Sequence, residues 1–237
     1  MMNRKLNAGG KESSGTSPRS AVKMTKALLS CGLVAGPLFV LVVVVQIVTR
    51  AGFDFGRHPI SLLSLGELGW IQIANFVVSG LLVIAFAVGI RRVWHSGRGA
   101  TWGPLLVALY GLGLVIAGVF SAEPALGFPP GTPEGIPTTF GLNVLLHGVG
   151  FLLAFGSVTI AALVVAVRDM EIRMRRWALY SAITAVATVA LIAWPFQETA
   201  SVRYFAASVV VWIWTTMIAL RLMTGYPVRA PAGTSSS

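Results

Sequence analysis

The sequence is short of the residues that build metal centres and disulfide-bonded folds. Its single cysteine, Cys31, lies in an apolar stretch, which excludes a disulfide framework and a cysteine-rich zinc site. It has three histidines, whereas two haems held by histidine pairs would need four. We therefore expect no cofactor, and the alternative that the histidine count leaves is a single metal or haem shared by His58 and His147.

Charged residues and catalytic motifs are scarce as well. Charged residues make up 11% of the 237 residues and hydrophobic residues 55%, far from the average of soluble domains. The chain has no HExxH, CxxC, GxSxG or Walker motif, which removes the commonest hydrolase and nucleotide-binding classes. The net charge of +10 comes from basic residues in the tails and in alternate loops, so we expect no nucleic-acid partner.

What the chain does contain is six uncharged apolar stretches. They cover residues 27–48, 70–90, 102–120, 142–167, 177–195 and 204–220. A helix needs roughly 20 residues to cross ~30 Å of hydrocarbon, and continuous apolar runs favour helices over strands. The sequence therefore predicts an all-α polytopic membrane protein, with a bundle of six transmembrane helices over residues 27–222.

The basic residues predict how the bundle is oriented. Fifteen of the 18 Lys and Arg residues lie in the tails and in the second and fourth loops, whereas five of the eight acids lie in the other loops. By the positive-inside rule both termini are cytoplasmic, and we expect a multi-pass protein of the cell (plasma) membrane. The tails, residues 1–26 and 223–237, are low in complexity and are predicted to be disordered.

Small residues at helical spacing indicate where helices approach each other. Gly32 and Gly36 form a GxxxG step on the first helix, and Gly113 with Ala117 repeats the pattern on the third. We interpret them as packing positions. The same structural interpretation applies to a polar stripe on the fifth helix, which consists of Ser181, Thr184 and Thr188.

Polar side chains, which are costly to bury in lipid, concentrate at one end of the predicted helices. Gln72, Asn75 and Ser79 share one face of the second helix, since their spacing is i, i+3, i+7. Asn143 and His147, four residues apart, share a face of the fourth. At ~1.5 Å per residue, Asn75 and His147 lie at similar depths of roughly 8 Å. This convergence predicts one outward-opening pocket.

Two non-cytoplasmic loops, residues 49–69 and 121–141, would cover this pocket. The second contains five prolines, which favour a stiff lid over a flexible linker. Because an ionisable residue within a membrane span is by default a functional hypothesis, His147 with Glu123 forms the candidate catalytic acid/base pair. The candidate ligand-binding residues are His58, Ser64, Gln72, Asn75, Asn143 and Trp212.

Several of these residues also have a structural interpretation. Asn, Gln and Ser in a bilayer commonly form hydrogen bonds between helices, worth about 0.6 to 2 kcal/mol each. Alternatively, His58 caps the start of the second helix. Trp212 could likewise fill a groove in the bundle without contacting a ligand.

The first outer loop carries the most distinctive motif, RHPISLLSLG at residues 57–66, followed by GWIQ at 69–72. Further pieces are AGVF at 117–120, Glu123-Pro124 and His147-Gly148. In these motifs, over residues 28–222, the chain resembles a bacterial membrane family catalogued as domain of unknown function 998. That family is similar to the six-helix membrane proteins grouped as FRAG, DRAM and Sfk. The resemblance implies a six-helix bundle without an established reaction, and the family tends to have Asp-Pro where this chain has Glu123-Pro124.

We expect a membrane protein that binds a lipid or another hydrophobic small molecule without catalysis. One alternative is an intramembrane enzyme, such as a cyclase or hydrolase, that uses His147 and Glu123 on a lipid or isoprenoid substrate. A second alternative is a structural subunit whose membrane-protein partner carries the activity. The sequence is also compatible with a homo-oligomer.

Overall fold

The chain folds into helices joined by loops. The computed structural model describes residues 18–97, 99–135 and 141–225, and over these residues it contains helices and no β-strand. Two short 3-10 helices cover Ile60–Ser64 and Gln197–Thr199. The long α-helices are α1 (Pro18–Thr49), α2 (Gly69–Val93), α3 (Trp102–Val119), α4 (Leu142–Glu171), α5 (Arg175–Ala193) and α6 (Ala200–Gly225).

All six long helices are long and apolar enough to cross a bilayer. Large apolar side chains project from the outside of the bundle, where a soluble protein would carry polar ones; Leu152, for example, is 70% exposed and Val186 is 67% exposed. These findings confirm the predicted all-α, six-helix architecture. The chain is a multi-pass integral membrane protein.

Most helices extend past the apolar stretches that predicted them. α1 begins at Pro18 rather than at residue 27, and α4 continues to Glu171 rather than ending at 167. A proline suits the first turn of a helix, and polar turns such as the one around Lys23 can continue a helix outside the hydrocarbon, where water satisfies their charges. The predicted disordered tails lie largely outside the described residues, in 1–17 and 226–237.

The helices form a closed ring. Each one packs on the next along the chain, and α6 returns to α1. Glycines allow the closest approaches: a Cβ on Gly32 would lie 2.5 Å from the Phe86 ring of α2, and one on Gly36 would lie 2.9 Å from Thr216 of α6. The two glycines of the predicted GxxxG step therefore contact two different neighbours.

The connections divide the bundle into two ends. Residues 50–68, 120–135 and 194–199 form the loop end, which carries both 3-10 helices. The opposite, arginine-rich end contains an ion pair between α4 and α6. Nη1 and Nη2 of Arg221 both donate to the Asp169 carboxylate, and the Nη2 to Oδ1 distance is 2.7 Å. Asp169 is fully buried, and the Arg221 guanidinium also lies 5.0 Å from the Trp177 ring of α5. This pair ties the last three helices together.

Candidate functional site

A cavity of about 420 Å³ lies inside the bundle towards the loop end. Five of the six long helices contribute to its wall, and the loop before α2 covers part of it at the loop end. Among the described residues that line it, one histidine is the only acidic or basic side chain. The wall consists of Phe39, Pro59, Ile60, Ser61, Phe76, Tyr110, Leu114, Ala117, Val144, His147, Gly148, Phe151, Ala154, Phe155, Tyr204, Ser208 and Trp212.

Aromatic rings dominate this wall. Trp212 is 2% exposed, and the centre of its ring lies 5.1 Å from Phe39 and 5.4 Å from Tyr110. Nearer the loop end, the rings of Phe151 on α4 and Tyr204 on α6 lie 5.5 Å apart. Rings held in this way form a rigid apolar surface that suits a hydrophobic ligand. Trp212 thus lines the cavity, and its contact with a ligand stays a prediction.

His147 joins α4 to the end of α3 and also lines the cavity. Its Nδ1 lies 3.0 Å from the Ala117 carbonyl oxygen and 2.9 Å from that of Phe120. The last carbonyls of a helix have no partner within the helix, so His147 satisfies two groups that lipid could not. Its Nε2 has no hydrogen-bond partner among the described residues. His147 therefore serves both the fold and the cavity surface.

Deeper in the cavity, two more polar atoms lack a protein partner. Tyr110 is 4% exposed, and neither its hydroxyl nor the Trp212 indole N–H forms a hydrogen bond with any described residue. The cavity thus combines an apolar wall with a few polar atoms that can orient a ligand.

Gln72 and Asn75 lie outside this cavity, in the interface between α1 and α2. Gln46 Nε2 donates to Gln72 Oε1 over 2.8 Å, and Asn75 Nδ2 donates to the Phe39 carbonyl over 3.2 Å. Gln72 and Asn75, two of the predicted ligand-binding residues, thus form hydrogen bonds within and between helices. This is the structural role given above as their alternative. Other polar atoms of this interface, among them Ser79 Oγ, are buried without a described protein partner, which is typical of positions that bind internal water.

His58 and Ser64 hold the first outer loop together. His58 Nδ1 accepts from the Asp54 backbone N–H over 2.9 Å, so Nε2 carries the proton and donates to the Leu126 carbonyl over 3.0 Å. This second bond joins the loop to the one after α3. Ser64 donates to the Ser61 carbonyl over 2.6 Å. Neither His58 nor Ser64 lines the cavity, but together they support the loop that does.

An ion pair and further contacts of two arginines also hold the same two loops in place. Arg57 pairs with Glu134 over 2.7 Å, and the Arg57 carbonyl accepts from Ser201 of α6 over 2.7 Å. Arg50 donates to the Leu65 carbonyl and has its guanidinium 5.9 Å from the Phe128 ring. Partial burial lowers the pKa of Arg50 from its ordinary value. These bonds make a firm cover over the loop end, of which residues 136–140 lie outside the described part.

Glu123 and Asn143 lie near the start of α4. Glu123 Oε1 accepts from the Gly141 N–H over 3.0 Å, a favourable position for a carboxylate because a helix start is electropositive. Asn143 is exposed on the first turn of α4. The structure therefore brings His147 and Trp212 to the cavity and places the other candidate residues around it. Within the described ranges, no three His, Cys, Asp or Glu residues are grouped to hold a metal ion.

Sequence reasoning did not single out most of the aromatic wall. Tyr110 lies near the middle of α3, away from the membrane interfaces where tyrosine is common, and this position was a usable signal. Phe39 and Phe151 gave none, because a phenylalanine in an apolar helix suits lipid and protein equally well.

Comparison with known proteins places the chain in a family. No curated protein and no solved structure was found to match it. A family model described as "Protein of unknown function (DUF998)" matches residues 33–221, which include all six membrane helices in whole or in large part. Since the match covers well over half of the chain, this protein belongs to the DUF998 family.

Proposed function

We propose that this protein binds an uncharged hydrophobic small molecule or lipid in the cavity at the loop end. The observation that carries the proposal is the wall itself, which combines a cluster of buried aromatic rings with unpartnered polar atoms. Over the described part of the chain, His147 is its only acidic or basic side chain. Ligand sites of membrane bundles have this composition, since an apolar wall supplies affinity and a few polar atoms supply orientation.

The size of the cavity limits the ligand. A cavity of ~150 Å³ holds a benzene molecule. By that scale the 420 Å³ available here suits on the order of 15 non-hydrogen atoms, such as one acyl or isoprenoid chain or a small ring system. The acid/base alternative has less support, because Glu123 uses its carboxylate at the start of α4 and is not part of the cavity wall.

Photoaffinity labelling tests the proposal. A photoreactive alkane with a diazirine group, added to the full chain in phosphatidylcholine nanodiscs, will label cavity residues such as Tyr110 and Trp212. The Gly148→Leu variant will reduce this labelling, because Gly148 lines the cavity and a Cβ there meets no atom within 4 Å, which leaves the leucine free to fill the space. Mass spectrometry of the labelled peptides measures the result.

The matched control is Gly156→Leu on the same helix. A Cβ on Gly156 also meets no atom within 4 Å, but Gly156 does not line the cavity. The substitution changes helix propensity equally at both positions, so only Gly148→Leu should bring the labelling of Trp212 down to background. Equal labelling of Trp212 in both variants, or labelling confined to lipid-facing residues such as Leu152, would overturn the proposal.

We also propose that the loop end faces the outside of the plasma membrane. The arginine-rich end carries most of the basic residues, and the positive-inside rule assigns such an end to the cytoplasm. The cavity would then receive its ligand from the outer leaflet or the extracellular side.

Cysteine labelling tests this orientation. In a Cys31→Ser background, Glu67→Cys at the loop end will react with a membrane-impermeant maleimide on intact spheroplasts. His95→Cys at the opposite end will react only after lysis. Both positions are exposed. The reverse pattern would place the cavity on the cytoplasmic side.

A further inference from the structure

The hydrogen bonds of His147 determine which atom it offers to a ligand. Nδ1 contacts two carbonyl oxygens, those of Ala117 and Phe120 at 3.0 Å and 2.9 Å. Carbonyl oxygens only accept, so Nδ1 carries the ring proton. In the neutral imidazole Nε2 then has a lone pair and no hydrogen. The unpartnered atom of His147 is therefore an acceptor.

The described wall of the cavity offers no counter-ion to His147. None of the residues that line the cavity is a carboxylate, and Glu123 binds the start of α4 instead. The ring centre of Phe76 lies 6.5 Å from that of His147 in an edge-to-face arrangement. In the neutral ring, Nε2 offers a ligand its lone pair. His147 thus meets a ligand as a hydrogen-bond acceptor.

We propose that the cavity selects an amphiphilic alcohol, whose hydroxyl donates a hydrogen bond to His147 Nε2. This inference rests on the proposed function and names the ligand class of the same site. A carboxylate, a phosphate or an ether would bring only lone pairs to Nε2, and the first two would also bring a charge that nothing in the wall compensates. A hydroxyl is neutral and donates the hydrogen bond that Nε2 can accept.

The geometry of the bundle also orients the alcohol. His147 lies in the second turn of α4 at the loop end, whereas Tyr110 and Trp212 lie near the middle of α3 and α6. The hydroxyl then lies at the level of His147, and the hydrocarbon part reaches inwards to the rings of Trp212 and Phe39. A lipid in the same leaflet has this orientation, so the ligand can enter without turning over.

Competition for the photolabelled cavity tests the alcohol preference. The competitors are 1-dodecanol and its matched analogues dodecyl methyl ether and dodecanoic acid. Each is titrated over the same range of mole fractions in the nanodisc. One added hydrogen bond corresponds to about a five- to tenfold difference, so 1-dodecanol should displace the label at about five- to tenfold lower concentration than the ether. Farnesol and dioctanoylglycerol in the same series distinguish a free isoprenoid alcohol from an acyl glycerol as the source of the hydroxyl.

His147→Asn is the diagnostic variant. An asparagine amide can place its N–H where His147 Nδ1 now donates to the Ala117 and Phe120 carbonyls, but it has no atom in the position of Nε2. The variant should therefore fold and still bind the photolabel, and the preference for alcohol over ether should fall to about onefold. Nitrogen-15 NMR of histidine-labelled wild-type protein gives a measurement that needs no variant: Nδ1 should be protonated and Nε2 not, and dodecanol should shift the Nε2 signal while the ether does not.

The outcomes separate the two proposals. Equal displacement by alcohol and ether, with labelling that Gly148→Leu still abolishes, would refute the alcohol preference and leave the cavity as a general hydrophobic site. A protonated Nε2, or a preference that survives in His147→Asn, would refute it as well. The absence of cavity labelling would overturn both proposals together.

Discussion

The variant Arg221→Met will lose about 3 to 5 kcal/mol of unfolding free energy, because it leaves the Asp169 carboxylate buried without its partner. Asp169 is fully buried, and Arg221 binds both of its oxygens. Asp169→Leu alone should cost a similar amount. The double variant should cost much less than the sum of the two, because an apolar pair removes both the attraction and the cost of burying the charges. Titration with sodium dodecyl sulfate, followed by circular dichroism, measures all three.

An exposed ion pair at the other end of the molecule provides the control. Arg57 and Glu134 lie 2.7 Å apart, but their side chains are 47% and 76% exposed, so Glu134→Gln should change the unfolding free energy by about 1 kcal/mol or less. Arg221→Lys keeps the positive charge but loses the two-pronged contact, so its unfolding free energy should fall between those of wild type and Arg221→Met. Additive costs of the two single variants would show that the pair is not coupled.

The Asp169–Arg221 pair also shows what could not be predicted from the sequence. The two residues are 52 positions apart, and each lies near the end of a helix, where a solvated charge is common. Nothing in the local pattern distinguishes a buried carboxylate from the exposed acids around it. The six helices could be predicted because an apolar run of sufficient length has few alternatives in a bilayer, whereas the partner of a charge depends on which helices meet.

Prediction of the candidate site from the sequence was limited in the same way. Asn75 and His147 are at similar predicted depths, and depth follows from counting residues along a helix. Depth does not say which neighbour a side chain faces: Asn75 points to α1, where it bonds the Phe39 carbonyl, and His147 points to α3. In a soluble helix the polar face would mark the outside, but helices with lipid outside and protein inside are apolar on both faces. Trp212 could be singled out because a mid-span tryptophan is unusual.

The second large effect is expected at Gly150, where α3 and α4 are in backbone contact. A Cβ on Gly150 would lie 2.8 Å from the Ala117 nitrogen and 2.8 Å from the Gly113 carbonyl oxygen, and backbone atoms cannot turn aside as a side chain can. Gly150→Ala should therefore cost about 1 to 3 kcal/mol or more, and Gly150→Leu should prevent stable folding. The yield of monodisperse protein and the unfolding free energy measure the two variants.

The interface gives this prediction an internal consistency test. Gly113→Ala meets the same obstacle from α3, with its Cβ 2.5 Å from the Ala154 nitrogen. If the first substitution already separates the helices, the second costs less, so the double variant with Gly150→Ala should be less destabilised than the sum. Gly148→Leu and Gly156→Leu on the same helix should fold normally, because a Cβ at either position meets open space. A Gly150→Leu protein as stable as these two would mean that α3 and α4 do not touch there, and the position of His147 against the end of α3 would lose its support.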